Sequence, residues 1–145
     1  MSLKSLDIGG IANTAAVMVV NHPTDRTPLK QSNDSDISIS MVGKDSDIFV
    51  KASRIARNLS VEQAKKRAPF SAAQQDKIDI ETIARCATGW SGIPKCWLDG
   101  GDDESAAEFS FENAVKLYTR QKWIFEQADE FVGGRENLLK ASAKN

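Results

Sequence analysis

The residues that could carry chemistry are few, and their spacing decides what each can do. His22 is the single histidine and stands directly before Pro23, so an imidazole base or a Ser-His-Asp relay would rest on that one ring. A turn residue between Pro23 and Pro28 is the simpler use of it. Cys86 and Cys96 lie ten residues apart, without the C-x-x-C spacing of a zinc or redox site, and read as free thiols. The run D-G-G-D-D-E at 99–104 offers hard oxygens, but it lacks the alternating ligand positions and closing glutamate of a helix-loop-helix calcium site, and so reads as a solvated turn. Glycine pairs at 9–10, 100–101 and 133–134 never extend to G-x-G-x-x-G or to a lysine-bearing phosphate loop. The expectation is a non-enzyme with no catalytic residue, no metal and no cofactor.

Length and charge narrow the class. A chain of 145 residues can bury one real core. No run approaches the roughly 20 apolar residues that span a bilayer. The N-terminal M-S-L-K-S-L-D-I-G-G lacks the apolar region and cleavage site of a signal peptide, so no membrane association and a cytoplasmic location are expected. The net charge of -1 gives no general attraction to nucleic acid. Locally the balance is uneven: from Ser46 to Ala68 there are six basic residues against two acidic, and from Asp99 to Glu112 six acidic and none basic. Two solvated faces, or a complementary pair within or between subunits, both fit this pattern. The basic stretch has neither interleaved aromatics nor a second helix at helix-turn-helix spacing, so nucleic acid is not the expected partner.

The elements that would position these groups follow from periodicity. Residues 1–14 read as a loosely held arm. A-A-V-M-V-V-N (15–21) suits a strand, and Ile37, Ile39 and Met41 alternate with Ser38 and Ser40 as a second strand with one buried face. Such a hairpin needs a third strand or a helix beneath it. Gly43 ends the β unit, residues 15–44, and Asp45 or Ser46 can cap a helix with Ile48, Ala52, Ile55 and Leu59 inward and Lys51, Arg54 and Arg57 outward. Ser60 with Gln63 could restart it as a separate short helix. Ile80, Ile83, Ala84, Ala87 and Trp90 mark one face of a further helix, closed by Gly89, Gly92 and Pro94. After an exposed acidic loop, Ser110 caps a helix bearing Phe111, Ala114, Val115 and Tyr118. Another carries Trp123, Ile124, Ala128 and Phe131. R-E-N-L-L could form a last helix, with residues 140–145 frayed. The fold class is α+β: a small N-terminal antiparallel β unit, hairpin or three strands, then a bundle of four to five helices over 45–139.

All three tryptophans, the single tyrosine and four of six phenylalanines fall between Thr88 and Val132. At helical spacing they read as core. Trp97 differs, since it lies in the long loop, where it is either a plug beneath that loop or an exposed anchor for a partner.

In order along the chain stand H-P-x-x-x-x-x-P-L (His22, Pro23, Pro28, Leu29), V-G-K-D-S (Val42 to Ser46), I-A-R-C-A-T-G-W (83–90), F-S-F-E-N-A-V-K-L-Y (109–118), W-I-F-E-Q-A-D-E-F (123–131) and R-E-N-L-L (135–139). This ordered set resembles the small tail assembly chaperones of long-tailed bacteriophages and prophages, over nearly the whole chain. The chain departs from that pattern at Asp25-Arg26, where a T-G pair is usual, and in its longer, more acidic loop at 92–108. The resemblance implies a non-enzymatic protein in the cytoplasm of the bacterial host. Its partners would be the tape measure protein, the major tail tube protein and further copies of itself. A structural tail component, such as a tail-terminator or head-tail joining protein, is the alternative, and a nucleic-acid-binding regulator the third reading. On surface type alone, Lys51, Arg54 and Arg57 with Asp102, Asp103 and Glu104 are the expected contacts between copies, and Trp97 the expected client anchor.

Overall fold

The computed structural model describes residues 3–68 and 70–134; the last helix expected at R-E-N-L-L and the frayed tail at 140–145 lie outside them. A 3-10 turn, Leu3–Leu6, leads to α1 (Ile8–Asn13), β1 (Ala16–Val19), β2 (Ser38–Met41), α2 (Asp47–Lys65), α3 (Ala72–Cys86), β3 (Ala87–Ser91), α4 (Cys96–Asp99), α5 (Phe111–Arg120) and α6 (Lys122–Gly133). The fold is α+β: a three-stranded antiparallel sheet, ordered β1-β2-β3, with helices packed on it.

The period-two reading of β2 holds. Ile39 and Met41 are fully buried and Ser38 and Ser40 are half-buried, because alternate side chains leave opposite faces of a strand. Val20 and Ile37 extend the ladder into the long loop, where bridges at Asn21–Pro28 and Lys30–Asp36 continue it. The hairpin gains its third strand from within the stretch expected to be wholly helical. α3 stops at Cys86, Ala87 turns to extended backbone, and Thr88-Gly89-Trp90-Ser91 pairs with the open edge of β2, setting Trp90 opposite Ile39. Trp90 therefore belongs to a strand, not to a helix face as its spacing predicted. Thr88 and Trp90 favour a strand, Gly89 between them weakens a helix, and an unpaired edge nearby decides the matter.

The segment expected as a loose arm is held at its C-terminal end. Ala12 is fully buried, its carbonyl accepts a hydrogen bond from the Gly43 amide, and Asn13 Oδ1 accepts one from the Asp47 amide at 2.8 Å.

The core is one continuous cluster. Met18, Ile39 and Met41 of the sheet meet Ile83, Ala84 and Cys86 of α3, Ala114, Leu117 and Tyr118 of α5, and Ile124, Ala128 and Val132 of α6. Trp90 packs edge-on against Phe109 with centroids 5.2 Å apart, and its indole N–H donates to the Ala107 carbonyl. Gln127 of α6 holds the end of β1 with both ends of its amide, accepting from the Asn21 amide and donating to the Asn21 carbonyl at 2.9 and 2.8 Å.

Candidate functional site

α2 packs on α3, whose C-terminal end lies in this core. Ser46 starts α2, its hydroxyl accepting from the Phe49 amide while Asp47 sits in the positive first turn. The helix then runs unbroken through Ser60, whose hydroxyl donates back to the Ala56 carbonyl instead of capping a new helix. It ends at Lys65, and Arg67 takes a left-handed conformation beyond it. Ser71 and Gln74 close a reciprocal cap at the start of α3, which fixes that helix's entry.

The inward line of α2 is not the one its large side chains predicted. Ala52 is its single buried residue, half-buried Phe49 packs against the core, and Ser53, Ala56 and Gln63 are half-buried, so the face toward α3 is built of small residues. Ile48, Ile55 and Leu59, expected to point inward, are exposed at 45, 42 and 47%. Val50 and Val61 are exposed as well. Five of the eight large apolar side chains exposed among the described residues therefore lie on this one helix. They form two lines. Ile48, Ile55 and Leu59 recur at seven and four residues; Val50 and Val61, with Arg54 and Arg57 between them, recur at four, three and four. Val50 follows Ile48 by two residues, more than half a turn, so the lines run along opposite sides.

The expected contact residues are placed as follows. Lys51, Arg54 and Arg57 are exposed on α2, and none of them takes part in the ion pairs formed among the described residues. Asp102, Asp103 and Glu104 are exposed in the loop after α4. Asp103 is partly committed: its carboxylate accepts from the Ser105 hydroxyl and amide and lies 3.9 Å from Lys95, and these hydrogen bonds hold its pKa below the ordinary carboxylate value. The loop is tied by Cys96 N to Asp103 O, Lys95 N to Ser105 O and Ala107 N to Ile93 O bonds. At Gly100, left-handed at φ 79°, a Cβ would strike the Arg120 guanidinium, so the loop seats directly on α5. Among the described residues no ion pair joins this loop to α2.

Trp97 packs beneath its loop, the first of the two placements expected for it. It is half-buried, meets Trp123 edge-on at 5.6 Å, and its carbonyl accepts from Gln121 Nε2. His22 serves its turn: Nδ1 accepts from the Thr24 and Asp25 amides at 3.1 and 3.4 Å. Burial pushes the Cys86 thiol up to about 12, which keeps it protonated and inert. Burial also raises the Tyr118 phenol; its hydroxyl is enclosed with no hydrogen-bond partner among the described residues. Among these residues no group of three His, Cys, Asp or Glu side chains could hold a metal ion, and no helix is long and apolar enough to cross a membrane.

A second concave surface lies between α3, α5 and α6. It is a cleft of about 470 Å³ with Ile80, Val115 and Phe125 on its apolar wall and Asp76, Lys77 and Lys122 around it. Comparison of the chain with protein-family models, curated proteins and solved structures returns no match.

The apolar lines of α2 were missed because Ile48, Ile55 and Leu59 fit a core stripe. The signal that could have found them was the competing line of small residues, Ala52, Ser53 and Ala56, which lets two helices approach closely. Val50 and Val61 on the far side were a second sign, since no single core face accounts for them.

Proposed function

We propose that this chain is a non-enzymatic binding protein that covers an apolar helix of another protein. On the resemblance in its sequence, that client is the tape measure protein of a long-tailed phage or prophage, and the chain is a tail assembly chaperone acting in the host cytoplasm. The observation that supports the reading is the set of five large apolar side chains, Ile48, Val50, Ile55, Leu59 and Val61, left exposed on α2, a helix that fully buries only Ala52. Hydrophobic surface of that extent on one element is surface for a partner. Apolar residues at seven- and four-residue spacing, Ile48, Ile55 and Leu59, suit a helical one.

A client that is a long helix with repeated apolar stripes is best covered by many weak contacts, so association between copies belongs to the proposal. The major tail tube protein would meet the complex when the tube closes around the client. Lys51, Arg54 and Arg57 on one copy and Asp102, Asp103 and Glu104 on the next remain the charged surfaces for longer arrays. The test is co-expression with a tape measure fragment that is insoluble alone. The chain should bring the fragment into the soluble fraction and co-purify with it. Its stoichiometric presence in finished particles would instead make it a structural tail component.

A further inference from the structure

We propose that α2 pairs in antiparallel fashion with α2 of a second copy of this chain, through Ile55 and Leu59 of the line that begins at Ile48. The pair sharpens the self-association in the preceding reading and rests on that reading for its purpose, while its geometry stands on separate observations. A seven-and-four repeat is the spacing by which one helix lies along another. Lys51 and Glu62, eleven residues or about three turns apart, flank this line on one edge. Both are exposed. When α2 runs against its own copy in the opposite sense about Arg57, Ile55 of each copy lies on Leu59 of the other. The same register brings Lys51 of each copy to Glu62 of the other, twice over by symmetry. A parallel pair would set those charges against the edge bearing Ala52 and Gln63, which carries none and already faces α3.

Neither of the other readings covers the line as well. Glu62 does lie 3.4 Å from Lys65 within the helix, but both side chains are about two-thirds exposed, and such a pair is weak enough to exchange. The acidic loop of a neighbour offers charge without apolar surface, since none of the large exposed apolar residues lies in 99–104. The contact spans a few turns of helix, smaller than the roughly 1,000 Å² of a stable interface, so the pair is a weak one. It leaves Val50 and Val61 open, so pairing does not consume the side of α2 that a client would need.

Sedimentation velocity of the full chain over a concentration series, without any client, is the test. Above about 0.15 M salt, where contacts made by exposed charges alone are screened, the wild type should show a reversible monomer–dimer equilibrium. Lys51→Glu and Glu62→Lys should each weaken it about tenfold, because each puts like charges together twice, and the double variant K51E/E62K should restore it. Leu59→Glu should abolish the dimer while circular dichroism and melting show an intact fold, and R54E/R57E should leave the dimer in place. A chain that stays monomeric throughout, a double swap that fails to recover, or a dimer lost on reversing Asp102, Asp103 and Glu104 but not on Leu59→Glu would overturn the proposal. A monomeric chain that still solubilises the client would refute the pair alone. A dimer that leaves the client insoluble would refute the function alone.

Discussion

The sheet-and-helix body and α2 use the same residue types to opposite ends. In the body, Ile39, Leu117 and Ile124 have no exposed surface; along α2, Ile48, Ile55 and Leu59 are left nearly half exposed. The difference teaches that hydrophobic periodicity marks a face to be covered without saying what covers it. In α5 and α6 the cover is the chain's own core. In α2 small residues take the inward position, and the large ones are left for something else.

The largest effect that could break this contrast is on stability. Leu117→Ala or Ile124→Ala should cost about 2–5 kcal/mol in urea unfolding, because a cavity opens where no neighbour can fill it. Leu59→Ala should stay within about 0.5 kcal/mol of the wild type. Equal losses at both places would erase the distinction between the two regions.

Association comes next. Reversal of both Arg54 and Arg57 to Glu should remove species larger than the dimer at low salt and change little at high salt, where exposed charges are already screened. Sedimentation at two ionic strengths reads this directly.

Thiol chemistry should separate the regions again. Cys86 is buried and held protonated, whereas Cys96 is half-exposed at α4. At pH 8 a disulfide-exchange reagent should titrate one thiol per native chain and the second only in denaturant. Prompt reaction of both would mean that the core opens more readily than its packing indicates.

The smallest effect concerns Asp129. Burial, with Asp79 adding like charge, raises its carboxyl above the ordinary value of 3.8. The folded protein therefore binds a proton more readily than the unfolded chain, so stability falls as pH rises from about 3.8 through the folded value and is then constant. Asp129→Asn should raise the melting temperature slightly at pH 7, and the gain should vanish at acid pH, where both states are protonated.

Much of the fold could be read from residue order. The alternation at 37–41 specified β2 and its buried face, Ser46 and Ser110 marked the starts of α2 and α5, and Ile124 and Ala128 marked the inner side of α6. What escaped reading was decided between distant segments. Thr88 to Ser91 became a strand because β2 offered an edge. Ala12 was fixed by the amide of Gly43, and Gln127 was recruited to hold Asn21. Trp97 found its packing partner in Trp123, twenty-six residues on. For the candidate surface, the charges on α2 and in the acidic loop were visible from composition, but the choice between two possible inner faces of α2 was not. That choice depends on how closely α3 approaches.

The most direct measurement is the soluble yield of a tape measure fragment co-expressed with this protein, beside the same fragment with the variant V50D/V61D. The wild type should carry most of the fragment into solution, and the variant, equally folded, should carry much less. A fragment that stays as insoluble with the wild type as it is alone, or that both proteins rescue equally, would contradict the assignment of α2 as the surface that covers a client helix.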